Sequence, residues 1–255
     1  MSNTKLFVSA IGLVTISLSA IVKPAEAAYL TYFGQDLGQG ENVRLGSTPN
    51  SNAARNNFFS NLVGVGTETF ESQTTGASTP IAIAFGSDTA TINGDGNISS
   101  VVSGTNGVGR YPISGNKFYE VAGPFTITFN TAQAAFGFYG VDIGDFNGQV
   151  TLNFTKAGGG NQLFTVPNTA TLGGGALYFG VIGTDPSDLF TSVSFGNTAA
   201  GTDFFAFDDF SIGRQEQIRR PVPVPGFIAG IALAAGILGG KQLRKRKNQV
   251  NQIQA

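Results

Sequence analysis

The strongest constraint in this chain is a period of two. Phe125, Ile127 and Phe129 alternate with Thr126, Thr128 and Asn130, and Val150, Leu152 and Phe154 alternate with Thr151, Asn153 and Thr155. A strand sends successive side chains to opposite faces, so runs of this kind bury one face and wet the other. Similar alternations fall at residues 65–71, 81–85, 177–181 and 191–195. Turn signals at residues 94–96, 158–160 and 173–175 separate them. Roughly ten to twelve short strands without helices between most of them indicate an all-β fold: an antiparallel β-sandwich or jelly roll.

Two aromatic runs organise this pattern. Residues 134–145, AAFGFYGVDIGD, read as a central strand leading into an acidic loop. Phe136, Phe138 and Gly140 share one face, and Gly137, Tyr139 and Val141 the other. The glycines allow a neighbouring layer to come close. Residues 204–213, FFAFDDFSIG, answer it with a second Asp pair. Residues 28–34 read as a first or edge strand. One short helix is expected over residues 51–62, where Ala54, Phe58 and Leu62 fall on one face and Asn50 or Ser51 would cap it. It should cover an open end of the sandwich.

Composition removes several function classes. Cys and His are absent, so there is no disulfide framework, thiol nucleophile, His-based triad or Cys-zinc site. Trp is absent as well, leaving Tyr and Phe as the side chains that would stack on sugars. Between residues 28 and 213 the bases are Arg44, Arg55, Arg110, Lys117 and Lys156, against 14 acids. This acidic body disfavours nucleic acid and anionic membrane surfaces and suits divalent cations.

The ends carry the opposite charge balance. Residues 1–27 have the layout of a secretory signal peptide: Lys5, an apolar run over residues 6–22, and a small-x-small site at Ala25 and Ala27. Residues 28–213 would be the exported sandwich, and residues 214–220 a polar spacer. A tripartite tail follows: the motif Val222, Pro223, Val224 and Pro225; an apolar run over residues 226–240; and a basic cluster of Lys241, Arg244, Lys245, Arg246 and Lys247. The run is 15 residues, or 19 counted from Val222, which is marginal against the roughly 17–25 residues a transmembrane helix needs. The bases after it would stay cytoplasmic with the polar residues 248–255, placing the sandwich outside.

Residues 221–247 resemble the PEP-CTERM sorting signals of exosortase-dependent bacterial surface proteins. The resemblance implies export, membrane attachment through the C-terminal helix, and handling by an exosortase-like sorting protease. Val224 stands where that family has Glu, and a retained anchor is the alternative to processing. The stretches GTETFE, AFGFYGVDIGDF, ALYFGV and DFFAFDDFSIG also look like the sandwich ectodomains carried on such tails. Those resemble carbohydrate-binding modules, which implies an extracellular polysaccharide as partner in an envelope, biofilm-matrix or adhesion setting.

The candidate site is acidic. Asp142 and Asp145 follow one Phe-rich strand, and Asp208 and Asp209 lie in the other. Asp208 shares its alternation with Phe204, Ala206, Phe210 and Ile212, so it is expected to point inward. A buried carboxylate needs a cation or several donors. The four together suit calcium, which takes oxygen ligands; carboxylates capping turn N–H groups are the alternative. Asn93, Asp95 and Asn97 have the opening spacing of a calcium loop but lack its Gly and Glu, and a hairpin turn fits them better. Glu68, Glu71 and Glu120 are the glutamates a secreted glycoside hydrolase would draw on. Glu68 and Glu71 have opposite strand parity, which favours a non-enzymatic module.

Overall fold

The computed structural model describes residues 29–199 and 203–219. Over these residues the fold is an antiparallel β-sandwich with one α-helix. In chain order the strands are β1 (Tyr29–Gly38), β2 (Thr67–Glu68), β3 (Ile81–Phe85), β4 (Asp88–Gly94), β5 (Asn97–Ser100), β6 (Lys117–Val121) and β7 (Phe125–Gln133). They continue as β8 (Ala135–Val141), β9 (Val150–Lys156), β10 (Asn161–Thr165), β11 (Leu172–Gly183), β12 (Phe190–Asn197) and β13 (Phe205–Gly213). Helix α1 spans Pro49–Ser60. One sheet runs β1-β11-β8-β13-β6-β5, with β2 added beside β13; the other runs β10-β9-β12-β7-β4-β3.

The alternating residues meet between the sheets. Phe136 and Phe138 of β8 face Phe125, Phe129, Phe154 and Phe195 of the second sheet, all buried. The Phe125 and Phe195 rings stack with centroids 4.2 Å apart, and Phe138 meets Phe195 edge to face at 5.3 Å. Burying each ring contributes on the order of 1.5–3 kcal/mol.

The first sheet is covered on its outer face as well. Gly137 of β8 pairs directly with Gly180 of β11. Phe58 of α1 seats over this glycine pair, with Ala54, Tyr139, Tyr178 and Ile182 around it. The helix therefore lies across the sheet and not at an open end of the sandwich. Its cap also differs from the sequence expectation, because the capping acceptor comes from β1. Asp36 accepts Asn50 N at 3.0 Å, Ser51 N at 2.9 Å and Ser51 Oγ at 2.7 Å. A carboxylate at a helix N-terminus satisfies the free N–H groups and the dipole together.

Three further expectations change. The glycines at 173–175 lie inside β11, where the register against β1 shifts between Asp36 and Gly38, and are not a turn between strands. Residues 94–96 carry the chain from β4 in one sheet to β5 in the other, so they form a crossover rather than a hairpin. In β13 a bulge between Asp208 and Ser211 resets the alternation. Phe207 and Phe210 consequently both face the inter-sheet core, while Ala206 packs in the outer layer with Tyr111 and Val141.

Residues 214–219, expected as a spacer, are docked on the sandwich. Arg214 Nη2 pairs with Asp88 Oδ1 at 2.7 Å, Ile218 bridges to Leu62, and Arg219 N donates to Asn61 O at 2.8 Å. Among the described residues no helix is long and apolar enough to cross a membrane. The expected signal peptide with Ala25 and Ala27, the motif at 222–225, the apolar run and the basic cluster lie outside the described residues.

Candidate acidic binding site

The four aspartates divide into two sites. Asp208 is 1 % exposed. Its Oδ2 accepts Ile113 N at 2.8 Å and Ser114 N at 2.9 Å, and its Oδ1 accepts Asp209 N at 2.8 Å. Asp209, at φ 49°, accepts Ser114 Oγ at 2.6 Å. The pair thus anchors the 110–116 loop over the outer face, where Asp208 points with Ala206, while the bulge after it brings Phe210 and Ile212 to the core side. Burial raises both carboxyls above the usual carboxylate range, and the charge of Asp209 raises Asp208 further. The expectation that all four aspartates converge on one ion is corrected: Asp208 and Asp209 are spent on loop donors, and the close carboxylate group forms elsewhere.

That group is Glu41, Asp142 and Asp145, each offering an oxygen within 4.8 Å of the others. Local backbone geometry builds it. Asp142 follows β8 at φ 67°, a left-handed turn that swings its carboxylate sideways. There it accepts Gly174 N at 2.8 Å, a donor turned toward it where Gly174 takes φ 76° in the β11 irregularity. Glu41 lies in the loop after β1, held by Gly40 N to Gly173 O at 2.9 Å and by Gly109 N to Glu41 O at 2.9 Å. Asp145 sits in the following turn, where its Oδ1 accepts Phe146 N at 3.1 Å.

Asp203, just before β13, lines the same hollow with Val108, Arg110, Phe146 and Phe204, a space of about 260 Å³. It is 3 % exposed, and its Oδ2 has no hydrogen-bond partner among the described residues. Arg110 is the cation of this hollow. Its Nη1 lies 3.6 Å from Asp142 Oδ2, but its Nε is bound to Glu120 Oε1 at 2.6 Å. Its guanidinium also lies over the Phe204 ring at 5.1 Å. One shared guanidinium faces four carboxylates. Burial pushes Asp142 up to about 7, with Asp145 and Glu41 adding to the rise and Gly174 N–H and Arg110 opposing it. Asp203 is likewise pushed up to about 7, first by burial and then by Asp145 and Asp142.

The remaining acids are occupied. Glu68 accepts Phe70 N at 2.6 Å and Ala84 N at 3.0 Å, and Glu71 accepts Asn116 N and Lys117 N at 2.8 and 2.6 Å. Glu120 takes Arg110, Ser99 Oγ and Asn106 Nδ2. Asp95, of the calcium-loop-like stretch, accepts Gly123 N at 2.7 Å through its side chain and Tyr119 OH through its carbonyl. Tyr111, Tyr119, Tyr139 and Tyr178 are buried and Tyr32 half-buried, so these rings build the core and outer layer. The sequence did not single out Glu41, Arg110 or Asp203 for this site. Their positions in sequence are too far apart for any spacing rule to join them.

No protein-family model matches the chain, and no curated protein is similar to it. Similar solved structures include the K2 cleaved adhesin domain of Lys-gingipain, at 15 % identity and a TM-score of 0.38, covering 58 % of this chain and 97 % of that one. The C-terminal family 22 carbohydrate binding module of Clostridium thermocellum Xyn10B aligns at 16 % identity and 0.34, covering 61 % and 94 %. A xylan-binding domain of family 22 aligns at 14 % and 0.31, covering 61 % and 95 %. At these values nothing about ligand or activity passes from those proteins to this one.

Proposed function

We propose that the chain is a non-enzymatic, exported cell-surface or matrix protein whose sandwich is a carbohydrate-binding-like module, sorted through residues 221–247. One observation carries the binding reading. Phe146 and Phe204 are 60 % and 46 % exposed, the two exposed phenylalanines among the described residues, and both line the acidic hollow. An aromatic face beside carboxylates and a guanidinium is the combination that stacks on a sugar ring and bonds its hydroxyls. The non-enzymatic reading is supported by Glu68, Glu71 and Glu120, each of whose carboxylates accepts from backbone or side-chain donors.

The test is a polysaccharide pull-down and glycan array with the full-length protein, beside a screen on glycoside and ester substrates. Binding to at least one polysaccharide class is expected, reduced several-fold by Phe204→Ala and by Phe146→Ala, with no turnover. Absence of any bound glycan would leave a structural role. Turnover abolished by one carboxylate substitution would replace the reading with a secreted hydrolase.

A further inference from the structure

We infer that Glu41, Asp142, Asp145 and Asp203 form a binding site for one divalent cation of calcium type. Three oxygens already lie within 4.8 Å of one another, so they converge on a common point. A carboxylate cluster alone would not establish this, because exposed acids often gather without an ion. The second observation is Asp203. It is almost completely buried, lines the hollow, and leaves Oδ2 without a partner among the described residues. A buried carboxylate oxygen without a donor is costly unless something positive occupies the space it faces. Arg110 meets that need only in part, since Glu120 and the Phe204 face hold its guanidinium and its ion pair in the hollow goes to Asp142, at 3.6 Å.

The donor set selects the ion. All four ligands are carboxylates, and the chain has no Cys or His, so a hard, oxygen-seeking cation is favoured over zinc or copper. Four side chains from three separated segments would supply part of the 6–8 oxygens calcium takes, with water supplying others. The same ion would join the loop after β1, the turn after β8 and the approach to β13. It would be held whether or not a glycan docks beside it, so its test uses the metal alone.

The experiment is calorimetric titration of calcium chloride into chelator-stripped full-length protein. One ion per chain is expected. Asp203→Asn and Asp145→Asn should each weaken binding about tenfold or more, whereas Asp209→Asn, at the other aspartate pair, should leave it unchanged. Asp145 is only half-buried, so its variant tests the site even if the Asp203 variant folds poorly. No heat of binding, or wild-type affinity in the Asp145 variant, would overturn the inference. So would an affinity lost through Asp209→Asn, or tighter binding of magnesium than of calcium.

Discussion

Replacing Gly180 with Ala tests how the helix reaches the sheet. A Cβ at this position would lie 2.6 Å from Phe58 Cδ2 and 3.1 Å from Cγ. Carbon atoms pack best at about 3.5–4.0 Å, so roughly 1 Å must be gained. The ring has little freedom to give it. It is fully buried, with Tyr32, Phe59 and Tyr178 rings at 5.8, 5.5 and 5.8 Å. The helix must lift instead, and over-packing of this kind costs about 1–3 kcal/mol. A domain of this size loses about 2–4 °C per kcal/mol, so the melting point should fall by about 2–12 °C. Without the ring the sign would reverse: Gly180 is not in the left-handed region, and alanine in a strand is favoured over glycine by about 0.5–1 kcal/mol. Calorimetric melts of wild type, Gly180→Ala, Phe58→Leu and the double variant separate these terms. The two changes should be coupled by about 1 kcal/mol or more, with the alanine tolerated once the ring is gone. A melting point raised by Gly180→Ala alone, or strict additivity, would refute the packing account.

Three other outcomes are expected. Asp208 and Asp209 have carboxyl pKa values raised in the folded state, so the fold holds protons that the unfolded chain has released. Their contribution is fully present below the ordinary value of 3.8 and is lost as pH rises through the raised values. Asp209→Asn keeps an acceptor for Ser114 Oγ and tolerates the left-handed backbone, so it should raise the melting point at pH 7 and much less near pH 4; an equal effect at both would contradict this. A chain ending at Arg219 should be released into the medium while full-length protein fractionates with membranes, and one ending at Gly213 should melt lower for want of the Arg214–Asp88 pair and the Ile218–Leu62 bridge. A membrane-bound shortened chain would remove the tail assignment.

The strands were legible because burial on one face writes itself as alternation, as at Phe125, Ile127 and Phe129. The faces of β8 were legible too: Phe136 and Phe138 enter the core, and Gly137 and Tyr139 meet the outer layer. What failed were places where the backbone leaves its period. The bulge in β13 brings Phe210 and Ile212 to the core side after Asp208, so their spacing to Asp208 pointed inward although Asp208 faces outward with Ala206. Residues 173–175 look like a turn but serve as an irregularity whose Gly174 N–H reaches Asp142. The helix cap was invisible for another reason: Asp36 precedes the helix by a whole loop, so no local capping pattern contains it. The site itself was half legible. Asp142 and Asp145 are neighbours in sequence, but Glu41 and Asp203 join them only through the fold.

The most direct measurement is a crystal structure of the protein grown with calcium, with anomalous scattering to identify the ion. One peak is expected within about 2.3–2.6 Å of oxygens from Glu41, Asp142, Asp145 and Asp203, with Phe146 and Phe204 flanking it. A peak at Asp208 and Asp209 would contradict it, as would a hollow containing only water at saturating calcium.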